Sequence, residues 1–412
     1  MANASAADVT RSRRTSLIGA VFLMATSAVG PGFITQTATF TSMMGAAFAF
    51  GILASIVIDL VVQLNIWRVV TVTGLRAHEI ANAALPGSGY LLAMLVMVGG
   101  LTFNVGNIAG AGLGLNALMG LDTTWGGLVS ALVAVGIFSS RRAGIAIDRI
   151  IIVLGVLMLA MTLFVALVSQ PPIGEALRQT VMPDTIDFAT ITTIVGGTVG
   201  GYITYAGAHR VLDRGLGGVE NIETVSGAAL RGILVTGLMR YILFLAILGV
   251  VASGVVIDVS GHNANPAAQA FQASAGELGL RIFGLILWAA GITSIIGAAY
   301  TSMTFLSAFH PAITESLRHR ATLIFIAVSL IAFLSLGTPP AAMLVFVGGF
   351  NGLILPVGLT LFLYVAWRRN DLMHGYPYPR WLLLSGVVVC LLTWYMGYTS
   401  IGPIFAFLTP AA

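Results

Sequence analysis

Two short runs interrupt otherwise apolar chain, and their chemistry is that of exposed backbone. Gly30-Pro31-Gly32-Phe33 lies between two apolar segments, and Gly196-Gly197-Thr198-Val199-Gly200-Gly201 is mostly glycine. Proline removes one helical hydrogen bond and clashes with the preceding turn, and each glycine costs about 1 kcal/mol of helix propensity relative to alanine. Both runs therefore predict unwound chain. Where the helix resumes, the N–H groups of Gly32 and Phe33 present the positive end of a helix dipole, which suits a carboxylate. Thr35, Gln36, Thr37 and Thr39 offer hydroxyl and amide hydrogen bonds, while Phe33, Tyr202 and Tyr205 offer an apolar wall. A few polar contacts in an apolar lining are typical of a small-ligand site. The expected substrate-binding set is Gly30, Pro31, Gly32, Phe33, Thr35, Gln36, Thr37, Gly197, Gly200, Gly201, Tyr202 and Tyr205.

A second group of residues could move charge. Asp59 sits deep in an apolar stretch with Gln63 one turn on, along the same face. Carboxylates at membrane depth are functional suspects by default, although packing against neighbouring amides would also explain this one. His209, Arg210, Asp213 and Arg214 close the second interrupted stretch and read either as a gate or as a solvated charge cluster. The histidines at His78, His262, His310 and His374 lack metal-like spacing, and no metal site is expected. Neither a nucleotide-binding Gly-x-x-x-x-Gly-Lys loop nor a hydrolase triad is present, so an ATP-driven pump and an intramembrane enzyme are both disfavoured.

The elements that must position these residues are membrane helices. Of 412 residues, 58% are hydrophobic and only 8% charged, a composition that excludes soluble enzymes, nucleic-acid binders and disordered scaffolds. The single cysteine, Cys390, excludes an intrachain disulfide. At roughly 20 helical residues per crossing, about eleven spans are expected. They centre near Val21 to Thr41, Ala46 to Val70, Tyr90 to Met119, Trp125 to Ser139, Ile150 to Val168, Ala189 to Val211, Ile233 to Val256, Ile282 to Phe309, Ala321 to Leu336, Ala341 to Trp367 and Trp381 to Leu408. The two unwound runs fall in spans 1 and 6. Gly106, Gly110 and Gly114 in span 3 read instead as sites of close helix packing.

Orientation follows from arginine, the only basic residue type besides histidine. The loops preceding odd-numbered spans hold nearly all of them, and the opposite side only Arg178 and Arg281, so the amino terminus is predicted cytoplasmic and the carboxyl terminus extracytoplasmic, in a multi-pass inner (plasma) membrane protein. Arg240, placed two turns inside span 7, is expected to snorkel to the cytoplasmic face. Met1 to Arg14 reads as a cytoplasmic tail.

Broken spans five apart are expected of two inverted five-helix repeats whose first helices meet at a substrate site. The chain resembles the NRAMP divalent-metal transporters of the LeuT-fold superfamily. The similarity lies in Ala289-Ala290-Gly291-Ile292-Thr293-Ser294 with Gly297 and Tyr300, in Gln63 and Gly74, and in Asn104-Val105-Gly106-Asn107-Ile108-Ala109-Gly110. The resemblance implies one all-α transmembrane domain over 1-412: a tail at 1-15, inverted repeats at 16-170 and 189-368, and an additional helix at 381-409.

The departures from that family carry the functional reading. Its metal site uses Asp-Pro-Gly-Asn in span 1 and Met-Pro-His in span 6; here these positions read Gly30-Pro31-Gly32-Phe33 and Gly200-Gly201-Tyr202. An alternative alignment puts Thr41-Ser42-Met43-Met44 on the first motif, also without a carboxylate. The family's acidic relay in span 3 reads Asn104 and Asn107, which cannot titrate. Asp59 and Gln63, with Asn104 and Asn107, form the expected coupling or relay group, and His209, Arg210 and Asp213 the gate. The reading is a symporter working by alternating access on a small organic anion or zwitterion. Its only expected partners are that solute and the lipid bilayer, with no nucleic acid, no cofactor beyond a coupling H+ or Na+, and a monomer sufficient. The alternative is a proton-coupled divalent cation transporter of Mg or Mn type with a remodelled site.

Overall fold

The computed structural model describes residues 29–406, apart from residues 214, 260, 262, 263 and 310–312 and the side chains of residues 141–152. The amino-terminal tail, the first half of span 1 and the chain from 407 onward lie outside the described residues, as do Arg214, His262 and His310. Among the described residues there is no strand, and every expected span contains helix. In chain order these are α1 (Pro31–Met44), α2 (Phe48–Thr73), α3 (Ala77–Ala84), α4 (Ser88–Met119), α5 (Thr123–Ser139), α6 (Arg141–Val168) and α7 (Ile173–Val181). Then follow α8 (Phe188–Val199), α9 (Ile203–Asp213), α10 (Ile222–Ala252), α11 (Pro266–Thr304), α12 (Glu315–Leu336), α13 (Pro340–Arg368) and α14 (Arg380–Ala406).

Seven helical stretches among the described residues are long and apolar enough to cross a membrane, and the pair α6 and α7, bent by 109°, makes an eighth if it is one span. The expected sixth span falls short for a physical reason: it is broken into α8, of 12 residues, and α9, of 11. Side-chain caps start several helices. Asp122, Asp187, Asn265 and Thr314 accept from the first free N–H groups of α5, α8, α11 and α12, as expected of N-cap residues.

The breaks fall where glycine and proline place them. Gly30 is extended (φ −82°, ψ −176°) and Pro31 opens α1, where its missing N–H breaks no helical bond. Between α8 and α9, Gly200 is extended (φ −76°, ψ 163°) and Gly201 lies at φ +53°. The expected unwinding of the whole glycine run needs correction, because Gly196 and Gly197 remain helical. Their role is close packing: a Cβ on Gly196 would lie 1.9 Å from the Gly348 carbonyl oxygen. The glycines of α4 do the same. Gly110 lies against Pro31 and Gly114 against the backbone of Trp288, so α4 presses on both α1 and α11.

α10 begins at Ile222, well before the expected Ile233, because the preceding loop is itself helical. Arg240 therefore lies eighteen residues into the helix, roughly 27 Å at 1.5 Å per residue.

Candidate functional site

The start of α1 faces two other helices. A Cβ on Gly30 would lie 2.9 Å from Ser294 Oγ of α11 and 3.9 Å from Asn107 Oδ1 of α4. Asn107 also lies beside Tyr202, whose ring meets Phe103 edge-on with centroids 5.2 Å apart. The start of α1 and the break between α8 and α9 thus both lie beside Asn107. Among the described residues, Asn107 Nδ2, Ser294 Oγ and Thr35 Oγ1 are buried without hydrogen-bond partners. Buried polar atoms are rarely left unpaired, so an unpaired group this close to a helix break marks a place for a ligand or water.

Other residues of the expected substrate set are used by the fold. The Thr37 hydroxyl donates to the Phe33 carbonyl at 2.7 Å and is occupied within its own helix. Gln36 Nε2 donates to the Leu344 carbonyl at 2.9 Å, and its amide packs against Gly197 and Gly348, tying α1 to α8 and α13. Gly197 and Gly200 leave no room for a side chain: a Cβ at Gly200 would lie 2.5 Å from the Gly196 carbonyl oxygen. Tyr205 packs with Phe305 and Phe362, with centroids 5.5 and 6.1 Å away, in the core between the site and the α9 end. It does not line a wall with Phe33.

The expected relay also divides. Asn104 Nδ2 donates to Ser329 Oγ of α12 at 3.1 Å, whereas Asn107 faces the Gly30 break. Gln63 is buried with both amide atoms unpartnered, and Asp59, one turn earlier, has an unpartnered Oδ1. Asp59 lies beside Thr198, at the end of α8, and in the field of Arg240.

Arg240 is the residue that sequence reasoning misplaced. Its side chain is 2% exposed, and its guanidinium carbon lies 4.1 Å from the centroid of the Phe33 ring, at the first turn of α1. Nε and Nη2 have no hydrogen-bond partner among the described residues. An arginine within an apolar span was the available signal; its burial against Phe33 replaces the expected snorkelling.

At the far end of α9, His209 Nε2 accepts from the Ala77 N–H at 3.1 Å, and Nδ1 lies 3.3 Å from Thr304 Oγ1. The Thr304 hydroxyl itself donates to the Thr301 carbonyl at 2.6 Å, so the imidazole proton must sit on Nδ1. Asp213 pairs with Arg76, which immediately precedes α3. Two members of the expected gate thus fasten α9 to α3, while Arg210 is only partly buried.

The start of α1 and the break between α8 and α9 meet at a buried polar centre among the described helices, the arrangement of a LeuT-type membrane transporter. Residues 21–401 match the Nramp family, described as natural resistance-associated macrophage protein-like, and the chain belongs to that family. It is 50% identical over 382 residues to the uncharacterized membrane protein YcsG of Bacillus subtilis (strain 168), covering 92% of this chain and 93% of that one. A further uncharacterized membrane protein, from Haemophilus influenzae, is 47% identical over 396 residues, covering 96% of this chain and 98% of that one. In fold it is similar to a manganese transporter of Eremococcus coleocola crystallised with an aromatic bis-isothiourea substituted compound, with TM-score 0.76 at 14% identity, covering 98% of this chain and 89% of that one. It is also similar to MhsT in complex with L-phenylalanine, with TM-score 0.63 at 13% identity, covering 95% of this chain and 98% of that one.

Proposed function

We propose that this Nramp-family transporter carries a small organic anion or zwitterion of amino-acid type by alternating access, driven by an H+ or Na+ gradient. The carrying observation is that Asn107 Nδ2 and Ser294 Oγ, of the two side chains beside Gly30, are unpartnered, as is Thr35 Oγ1 on α1. They are neutral hydrogen-bonding groups of an amide and two hydroxyls, matched to the oxygens of an organic solute. A dehydrated divalent ion requires anionic or several hard donors, and the family's ligand positions hold Gly30, Phe33 and Gly200. The Arg240 guanidinium, 4.1 Å from the Phe33 ring at the first turn of α1, further opposes a doubly charged cation.

The same proposal includes the inverted repeats at 16-170 and 189-368, a cytoplasmic amino terminus and placement in the inner (plasma) membrane. It also takes the side holding Arg76, His209 and Asp213 as cytoplasmic and closed by those residues, with a monomer as the working unit.

Thermal unfolding of the purified protein against a panel of small carboxylates, amino acids and divalent metals tests the reading, since a ligand that binds only the folded state raises its stability. Stabilisation by a carboxylate or amino acid is expected. Stabilisation by micromolar manganese that disappears on chelation, with none by organic ligands, would overturn it.

A further inference from the structure

We infer that Arg240 holds the solute's carboxylate and that Asp59 is its exchangeable counter-ion. This rests on the organic-anion reading and names the groups that make that site selective. Nε and Nη2 form the side-on fork of a guanidinium, the edge that binds both oxygens of one carboxylate, and both are buried without a hydrogen-bond partner. The Phe33 ring covers the group from one side, 4.1 Å from its central carbon to the ring centroid. The same residue belongs to the first turn of α1, whose opening N–H groups precede the first helical bond, from Ile34 to the Gly30 carbonyl at 3.3 Å. Side-chain fork and helix start therefore converge on one place.

A guanidinium buried to this degree is costly unless its charge is balanced. Among the described residues, Asp59 is the charged group that acts on Arg240, and Arg240 the charged group that acts on Asp59. The two do not form an ion pair within bonding distance, and Asp59 Oδ1 also lacks a partner. In the empty site the positive and negative charges cancel. A monocarboxylate entering the fork adds one negative charge, and the centre returns to neutrality when Asp59 takes up one proton on Oδ1. The loaded site then holds one carboxylate, one guanidinium and a neutral Asp59, and the solute crosses with one proton and no net charge. Release reverses both steps. Thr198, beside Asp59 at the end of α8, places this exchange next to the Gly200 break, while Phe33 under Arg240 ties it to the start of α1.

The test uses the full-length protein in detergent with lactate, L-alanine, L-proline and benzoate as probes, lactate and benzoate each paired with its neutral primary amide. Wild type is expected to prefer lactate and benzoate to their amides, and to take up about one proton per lactate or benzoate bound, read with a pH indicator in weak buffer. In Arg240→Gln the carboxylate affinity should fall by about 30-fold or more while the amide affinity changes little, and Arg240→Lys should recover part of the loss. Asp59→Asn should bind the carboxylate without proton uptake, and in proteoliposomes should exchange solute without accumulating it against a proton gradient. Carboxylate affinity unchanged in Arg240→Gln would overturn the inference and leave the organic-anion reading standing. Failure of every carboxylate to bind wild type would overturn that reading itself. If Arg240→Gln does not fold, wild-type proton uptake decides: about one proton supports the exchange, and none overturns it.

Discussion

His209 Nε2 accepts a hydrogen bond from the Ala77 backbone N–H at 3.1 Å, joining the second half of a broken span to the first residue of α3. The donor is a backbone group, and Thr304 Oγ1 meets the other ring nitrogen, so the contact depends on the protonation state of the imidazole. Protonating the ring would put a hydrogen on Nε2 and remove the acceptor. Acid should therefore loosen this end of α9.

Replacing His209 by alanine should release α3 without unfolding the protein. One net hydrogen bond is worth about 1 kcal/mol, so amide exchange over residues 75–84 should speed up by about fivefold, measured by hydrogen–deuterium exchange. Unchanged exchange there would mean that the Arg76–Asp213 pair alone holds the two elements together.

Gly201→Ala should be poorly tolerated. Its φ of +53° costs an L-residue about 1–2 kcal/mol, and a Cβ there would lie 1.9 Å from Asn351 Oδ1. A lower unfolding temperature is expected, with part of the loss recovered in Gly201→Ala/Asn351→Ala. Recovery of the whole loss would show that the clash, rather than the backbone conformation, sets the cost.

Thr35 and Gln36 are neighbours in α1 with opposite expected behaviour. Gln36→Ala removes the tie to the Leu344 carbonyl and opens space among α1, α8 and α13, so it should destabilise by about 2–4 kcal/mol. Thr35→Val removes a hydroxyl that bonds nothing, so stability should hold while ligand affinity falls. Thermal unfolding with and without ligand separates the two.

The two asparagines of α4 should also separate. Asn107→Ala is expected to weaken solute binding, because its amide faces the Gly30 break. Asn104→Ala should instead lower stability with affinity retained, through loss of the 3.1 Å bond to Ser329. Equal loss of affinity in both would restore the paired relay expected from their spacing.

Residue order alone disclosed the apolar spans, the two interruptions and the family resemblance. Those features follow from local properties: side-chain transfer from water, the missing N–H of Pro31, and the conformational freedom of Gly200 and Gly201. It also marked Asp59 as an unusual charge. Which polar residues face the centre was decided only by packing. Thr37 bonds within its own helix, Gln36 bridges three helices and Tyr205 turns into the core, whereas Ser294 arrives from α11 to meet Gly30. Arg240 is the clearest case. Its composition context predicted a snorkelling side chain, yet contacts with Phe33, far away in the chain, keep it buried. Helix periodicity assigns a residue to a face, but which neighbour covers that face depends on how distant helices cross, and no local pattern encodes that.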